Sequence, residues 1–311
     1  MNTIEHAKVF QQELDKAMLA DLCTGWMDEN SKTAKYEGGS EIKIPKLVMS
    51  GLGDYNRING YPEGDISLTF ETMTMTKDRG RSFNIDAMDV DESGFVLVAS
   101  DVMGEFQRTH VVPETDAYRI GKINTLAGAR ARAYTPVVAT VLQNLKQDIA
   151  TVQDAIGDVE PLVVLMSFPV AAILDSNENI SKQLNVGDFK KGEVTMKVKM
   201  LDEVPILRVP SSRMKSAFVF YDGVTDSDGA SQNPTPDQRT GGFVPASGAV
   251  AINWIVCAKR APIGVSKTDT VRIFDPLTYQ KANAWHIDYR KYHDLWIPDN
   301  KLNGVFVNRA S

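Results

Sequence analysis

Three carboxylates between residues 86 and 91 could carry chemistry. Asp86, Asp89 and Asp91 have the side chains that serve in general acid-base catalysis or in cation binding. Their spacing is also typical of a junction between a strand and a helix, where carboxylates cap free N–H groups and are favoured by the helix dipole. We therefore predict that these three residues cap a helix.

Arg79 and Arg81 precede these carboxylates and are separated by one residue. On a strand, both side chains would point to the same face. Two such guanidinium groups could bind phosphate, but the chain has 40 acidic residues against 34 basic ones. Pairing with nearby carboxylates is therefore the favoured interpretation.

The four histidines, His6, His110, His286 and His293, are not spaced like a metal site. His286 and His293 are seven residues apart, so on a regular strand they point to opposite faces. Residues 225–229 (TDSDG) resemble part of a calcium loop, but the carboxylate expected at the end of such a loop is missing. A solvated loop is the favoured interpretation there.

Common catalytic and phosphate-binding motifs are absent from the sequence. It contains no GxGxxG, GxxxxGK[ST], HExxH or GxSxG, which argues against the usual phosphate loops, zinc hydrolases and nucleophile elbows. An enzyme would need a site of an unfamiliar kind. We predict that the protein is not an enzyme and has no catalytic residue, no cofactor and no bound metal.

Length and composition predict a globular protein with a sizeable core. The chain has 311 residues, 43% of them hydrophobic, and its length suggests two domains. Cys23 and Cys257 lie far apart and outside any CxxC pair, so we expect no structural disulfide. No apolar run reaches the roughly 18 residues of a membrane span, and no signal peptide is evident. We expect no membrane partner and a location in the cytoplasm where the chain is made.

The formal net charge of −6 is unevenly distributed. Between residues 86 and 116 there are eight carboxylates and a single basic side chain, Arg108. Like charge disfavours tight, sequence-independent DNA binding by this segment. It is either a solvated helix face or an acidic strip that meets a basic strip on another subunit.

Apolar residues at helical spacing predict four main helices and one short one. The main helices cover residues 2–24, 95–110, 113–127 and 135–156, with Pro113 in a first turn and Gly157 at the end of the last. The helices on either side of Pro113 would meet at an angle. The short helix covers residues 169–174.

Alternating apolar residues predict two strands flanking a long loop at residues 49–65, rich in Gly, Asn and Asp. Loops of this length in compact domains are usually functional or disordered. This one carries Tyr55, Ile58 and Tyr61, a surface that would prefer a partner.

Further strands are predicted towards the C-terminus, which makes the fold class mixed α+β. One is a buried strand at 162–166, and residues 194–200 and 204–209 form a hairpin turned by Asp202-Glu203. A loop at 222–248 precedes a buried strand at 249–258. The chain ends with a long strand at 283–297 and a shorter return at 302–308, with Asn303-Gly304 marking a turn.

Several segments resemble the major capsid proteins of tailed bacteriophages, which share the Hong Kong 97-like coat fold. They occur in the family's order and span about residues 36–307. These segments are 78–92 (DRGRSFNIDAMDVDE), 106–114 (FQRTHVVPE), 116–119 (DAYR), 209–214 (VPSSRM), 284–285 (AW), 289–296 (YRKYHDLW) and 299–301 (DNK).

The resemblance implies the domain layout of that fold. It divides the chain into an N-terminal arm at 1–33, an extended loop at 34–72, a peripheral domain at 73–135 and 268–311, and an axial domain at 136–267. The peripheral domain would contain a spine helix from Glu92 to Val112. In such proteins the arm and the extended loop reach onto neighbouring subunits.

The resemblance also implies a structural function. The protein would self-assemble through hexamers and pentamers into the icosahedral head that encloses the dsDNA genome of a tailed phage, without sequence-specific DNA binding. Its partners would be further copies of itself, the portal and, where one is required, a separate scaffolding protein. It would be located in the virion capsid and assembled in the host cytoplasm.

Six residues are candidates for inter-subunit contacts in this interpretation. They are Tyr55, Arg57, Arg79, Arg81, Asp101 and Glu105. Two other functions stay open. One is the shell of a bacterial nanocompartment with the same fold, and the other, from a different class, is a soluble enzyme or binding protein.

Overall fold

The computed structural model describes most of the chain. The described residues are 22–33, 35–36, 40–58, 60–88, 99–157, 160–177, 184–191, 194–226 and 237–311. The predicted helix at 2–24 lies outside them except for its last three residues, and so do Asp89, Asp91 and the predicted start of the spine helix at Glu92. The described part is a mixed α+β structure, which confirms the predicted fold class.

The first sheet is a long hairpin with a short third strand. Its strands are β1 (Lys35–Tyr36), β2 (Glu41–Met49) and β3 (Ile66–Thr74). β2 and β3 pair antiparallel without interruption, from Glu41 opposite Thr74 at the base to Met49 opposite Ile66 near the tip. The two strands predicted on either side of the long loop are thus confirmed.

The second sheet has three strands in the order β13-β14-β4. They are β4 (Lys77–Asp86), β13 (Ile263–Phe274) and β14 (Ala284–Trp296). The long strand predicted at 283–297 is confirmed as β14, and it is the central strand. Its register places Arg79 opposite Lys291 and Arg81 opposite Tyr289.

One continuous helical segment packs beside this sheet. It consists of α1 (Ala99–Phe106), a π turn (Gln107–Val111) and α2 (Val112–Ala127). The two predicted helices are joined without an intervening loop at Pro113, because Phe106, Val111 and Val112 all keep helical backbone angles. Proline cannot donate to the carbonyl four residues back and clashes with it. The widened π turn just before Pro113, in which the Val112 N–H donates to the Gln107 carbonyl, lets the helix continue.

Two further helices pack on the largest sheet, which has seven strands. They are α3 (Val141–Ile156) and α4 (Phe168–Asp175). The end of α3 at Gly157, which has a φ of 79°, confirms the predicted stop. The predicted start at 135 is too early, because Val137 and Val138 are exposed and α3 begins only after Thr140.

The largest sheet contains seven strands and most of the core. In spatial order they are β5 (Ala131–Ala133), β15 (Val305–Arg309), β12 (Ile252–Ala258), β6 (Leu162–Ser167), β9 (Val204–Val209), β8 (Val194–Leu201) and β7 (Leu184–Lys191). Every residue of the central strands β6 and β12 is buried. Asp202 and Glu203 both have positive φ, as a tight turn of the predicted hairpin requires. A separate pair, β10 (Phe218–Phe220) and β11 (Phe243–Pro245), flanks part of the predicted loop.

The pairing of the C-terminal strand differs from the prediction. The sequence predicted that this strand returns against the preceding long strand. β15 pairs antiparallel with β12 and parallel with β5, so it belongs to the seven-stranded sheet. A 3-10 turn at Asp299–Gly304 redirects the chain there. A Cβ on Gly304 would lie 2.9 Å from the Cβ of Ala258, so this turn needs glycine. The segment 268–311, predicted as one part of the peripheral domain, is therefore shared between two sheets.

Candidate assembly surface

The β2–β3 hairpin exposes an unusual amount of apolar surface. Only its base is covered, where Ile42 and Ile44 are buried with Ile263, Val265 and Trp296. Beyond the base, ten large hydrophobic side chains are exposed, namely Leu47, Val48, Met49, Leu52, Tyr55, Ile58, Tyr61, Ile66, Leu68 and Phe70.

Both faces of the hairpin are uncovered. Successive residues of a strand point to opposite faces, and the consecutive residues Leu47, Val48 and Met49 are all about half exposed or more. An isolated two-stranded ribbon is at best marginally stable in water. Exposed apolar patches of this kind mark interaction surfaces. The hairpin therefore has the exposed apolar surface that is typical of an interaction site.

The tip carries two of the predicted contact residues, Tyr55 and Arg57, and both are exposed. The Tyr55 and Tyr61 rings lie 5.0 Å apart between centroids. A backbone bridge between Asn56 and Gly60 and a hydrogen bond from the Ile58 N–H to the Asn56 side-chain oxygen, at 2.8 Å, give the tip a defined turn. The aromatic pair, exposed to solvent, thus flanks the bridge between Asn56 and Gly60.

Asp294 fixes the base of the hairpin to the helix. This fully buried carboxylate accepts hydrogen bonds from the N–H and hydroxyl of Thr76, at 2.9 and 3.1 Å, and from the Tyr118 hydroxyl at 2.7 Å. Lys122 forms an ion pair with the same carboxylate. Burial, with the hydrogen bond to Asp294, raises the pKa of Tyr118, so its hydroxyl stays a donor at neutral pH.

Asp116 and Arg119 connect the N-terminal described segment to α2. Asp116 is fully buried and accepts from the N–H groups of Cys23 and Thr24 at 3.1 and 3.0 Å, and from the Thr24 hydroxyl at 2.7 Å. Arg213 adds an ion pair at 3.0 Å. Arg119, also fully buried, donates to the Thr24 carbonyl at 3.1 Å.

The described end of the predicted arm therefore packs within its own subunit. Arg119 also forms an ion pair with Asp28 at 2.6 Å, and the side chains of Leu22, Trp26 and Met27 are buried. Sequence reasoning missed Asp116, Arg119 and Asp294. The available signal was weak, namely two charged residues, three positions apart, beside the apolar stripe of α2.

Arg79 makes an ion pair and a hydrogen bond within its own subunit. Its guanidinium pairs with Glu114 at 2.6 Å and donates to the Tyr221 carbonyl at 2.7 Å. The favoured interpretation from the sequence, pairing with a carboxylate, is confirmed for this residue. These contacts join β4 to α2 and to the loop after β10.

Arg81 points to the same side of β4 and reaches the same loop region. Both of its terminal nitrogens donate to the Arg239 carbonyl at 3.2 Å. Among the described residues, no carboxylate lies within ion-pair distance of Arg81. Gly223, which has a φ of 79°, sits against it, and a Cβ there would come within 3.0 Å of the guanidinium.

Arg79 and Arg81 line a common cavity of about 210 Å³. Its aromatic wall contains Phe83, Phe106 and Tyr289, with centroids 5.0 and 5.9 Å from that of Phe106. The cavity lies between β4, β14, the π turn and the loops that flank β10 and β11. It therefore combines apolar rings with a charged edge.

The remaining predicted contact residues lie on α1. Glu105 is exposed and pairs with Arg108 at 2.9 Å on the same helix. The side chain of Asp101 lies outside the described positions. Asp86 accepts a hydrogen bond from the Met88 N–H at 2.9 Å, which is the geometry of the predicted cap.

Within the described ranges, no group of three or more metal-type ligands comes together. His293 is buried, and burial with the nearby Arg119 and Lys291 holds its pKa well below the usual range. His286 lies elsewhere on β14 and stacks on Tyr279 at 4.4 Å. None of the described helices has the length and apolar character that crossing a membrane requires.

No protein-family model and no curated protein matches the sequence. Solved structures of phage capsids do match the fold. The cyanophage P-SCSP1u capsid gives a TM-score of 0.56 at 12% identity, over 89% of this chain and 85% of that chain. The mature capsid of bacteriophage PhiM1 gives 0.54 at 12%, over 88% and 83%. The Staphylococcus phage Andhra capsid gives 0.51 at 8%, over 89% and 82%.

These likenesses extend over nearly the whole chain. At such low identity they show the fold, which does not by itself determine function. The chain has the Hong Kong 97-like fold of phage capsid proteins, as the order of its sequence motifs predicted.

Proposed function

We propose that this protein is the major capsid protein of a tailed phage. It self-assembles through hexamers and pentamers into the icosahedral head that encloses the dsDNA genome. The observation that carries the proposal is the β2–β3 hairpin, whose ten large hydrophobic side chains are uncovered in a single subunit of capsid fold.

Burial of the hairpin on neighbouring subunits supplies free energy for assembly. Each square ångström of apolar surface removed from water contributes about 25 cal/mol. Obligate interfaces bury more than roughly 2,000 Å² in total. Anchoring of the hairpin base by Asp294 restricts its direction before binding, which lowers the entropy lost on contact.

In this proposal the sheet β13-β14-β4 and the seven-stranded sheet belong to different parts of the shell subunit. The sheet β13-β14-β4 and the helical segment from α1 to α2 form the peripheral domain. The seven-stranded sheet forms the axial domain. Its strands at 131–133 and 305–309 lie in ranges that the sequence assigned to the peripheral domain. The extended loop corresponds to the β2–β3 hairpin.

The proposed role is structural, without catalysis. The partners are further copies of the chain, the portal and, where one is required, a separate scaffolding protein, in the virion capsid assembled in the host cytoplasm. Within the acidic segment at 86–116, Glu114 and Asp116 pair with Arg79 and Arg213 inside the subunit. The remaining acidity of the segment suits a wall that must not hold packaged DNA tightly, because carboxylates repel phosphates.

Velocity sedimentation of the purified chain, expressed with and without a candidate scaffolding protein, tests the proposal. We expect fast-sedimenting particles or hexamer-sized and pentamer-sized species in at least one condition. A uniform small oligomer in both conditions would overturn it.

A further inference from the structure

The cavity beside Arg81 combines aromatic and charged groups and therefore favours a ligand with both characters. One wall is aromatic, formed by Phe83, Phe106 and Tyr289, and its edge carries the cation of Arg81. An engineered apolar cavity of about 150 Å³ accepts a benzene ring. The volume of about 210 Å³ here is sufficient for one aromatic side chain.

A small inorganic anion fits this cavity poorly. It would leave the rings of Phe83, Phe106 and Tyr289 in contact with water. Arg79 is already neutralised by Glu114 at 2.6 Å. The fitting occupant is a group that brings an aromatic ring for the wall and a carboxylate for Arg81.

The hairpin tip of the same chain supplies both groups. Tyr55 and Tyr61 are exposed there as an adjacent ring pair. Residues 50–65 also carry three carboxylates, those of Asp54, Glu63 and Asp65, against one guanidinium. The acidic, aromatic tip therefore complements the aromatic cavity with its cationic edge.

The tip that fills the cavity must come from another copy. Pairing along the nine residues of β3 holds the tip about 26 Å from the hairpin base, at 3.3 Å per residue. Arg79 and Arg81 lie only five and seven residues beyond Thr74, on the strand that follows the base. A tip could reach its own cavity only by breaking the β2–β3 ladder.

We infer that the cavity beside Arg81 receives the aromatic hairpin tip of a neighbouring copy of this chain. This inference rests on the proposed function and specifies the partner surface for the hairpin. Such a contact joins two different surfaces, so it is heterologous and extends from subunit to subunit, forming rings where the rotation closes. The ring of Tyr55 or Tyr61 packs against Phe106, and a tip carboxylate pairs with Arg81.

Disulfide trapping tests this contact directly. The Tyr61→Cys, Thr240→Cys double variant places one thiol on the tip and one at the exposed edge of the cavity. Particles assembled under reducing conditions and then oxidised should give a ladder of crosslinked chains on a non-reducing gel. The wild type controls for Cys23 and Cys257, and Tyr61→Cys with Leu277→Cys controls for nonspecific crosslinking at an exposed site.

The outcomes separate this inference from the proposed function. Particles of the double variant that show only monomers would overturn the docking contact while leaving the shell function intact. Failure of the wild type to form any particle would overturn both. Laddering confined to assembled particles supports the contact.

Two substitutions at one position provide a second measurement. Arg81→Glu places a carboxylate against the acidic tip, so particle yield should fall by about tenfold or more relative to wild type. Arg81→Gln keeps donors for the Arg239 carbonyl, so its particle yield should fall less than that of Arg81→Glu. Circular dichroism verifies that both variant subunits are folded. Wild-type yield from a folded Arg81→Glu variant would contradict the contact.

Discussion

Asp116 and Arg119 show how far single residues could be predicted. The helical spacing placed Ala117, Ile120 and Ile123 on one face of α2, and all three are buried. The same pattern could not reveal that the two charged residues are buried as well. Their partners, such as Thr24, come from distant parts of the chain, and long-range pairing leaves no periodic signal.

Removal of the Asp116 carboxylate should strongly destabilise the subunit. Asp116→Ala leaves the Arg213 guanidinium and the N–H groups of Cys23 and Thr24 without their acceptor. We expect a loss of about 3–5 kcal/mol in the free energy of unfolding, measured by urea denaturation of unassembled subunits. The control is Glu105→Ala, which breaks an exposed pair with Arg108 and should cost less than about 1 kcal/mol. Equal losses in the two variants would contradict the role of Asp116.

His293 should make stability depend on pH. Its pKa is well below 6.5 in the folded state, mainly because of burial, so below pH 6.5 the unfolded chain binds a proton that the folded chain does not. The His293 contribution is present above pH 6.5 and is lost progressively as the pH falls from 7.5 to 5.5. Urea denaturation of wild type and His293→Asn over this range measures it.

The His293→Asn variant should lose less stability on acidification than the wild type. Between pH 7.5 and 8.5 the two proteins should show the same slope, because the imidazole is neutral in both states. Parallel curves down to pH 5.5 would exclude His293 as the titrating group.

Helices and strands could be predicted from the sequence where the pattern of apolar residues that indicates them is local. Alternation along β2 and β3 and the apolar stripe of α3 gave elements that the structure confirms, because periodicity reports burial directly. β13 was missed, and β15 was assigned to the wrong neighbour. Strand pairing joins residues far apart in sequence, so the sequence pattern does not specify which strands pair.

The hairpin should matter for assembly far more than for folding. Deletion of residues 50–64 removes the tip and leaves the buried base residues Ile42 and Ile44 in place. We expect a folded subunit with a free energy of unfolding within about 1 kcal/mol of wild type, but no closed shells. Urea denaturation and sedimentation measure the two properties. Intact shells from this deletion would refute the role of the hairpin.

At the scale of the whole molecule, the order of family-like segments predicted a fold that the structure shares with phage capsids. The environments of the candidate contact residues could be predicted only in part. Tyr55 and Arg57 lie on the exposed tip, whereas Arg79 is occupied within the subunit. A single sequence contains no signal that distinguishes contacts within a subunit from contacts between subunits.

The acidity of the segment at 86–116 should affect DNA packaging. Asp101→Lys with Glu105→Lys converts part of the segment to a cationic surface that holds phosphates. We expect fewer DNA-filled particles in an infection complementation assay, counted by density-gradient centrifugation. Glu160→Lys with Asp188→Lys makes the same change in net charge elsewhere and serves as the control. Undiminished assembly and packaging by the first variant would remove support for the acidic wall.

Self-assembly into a curved shell is the central claim, and negative-stain electron microscopy tests it most directly. The full-length wild-type protein would be imaged after expression with and without a candidate scaffolding protein. The capsid fold and the uncovered hairpin predict closed shells, or hexamer and pentamer rings, in at least one condition. Uniform small oligomers without any curved lattice in both conditions would contradict the claim.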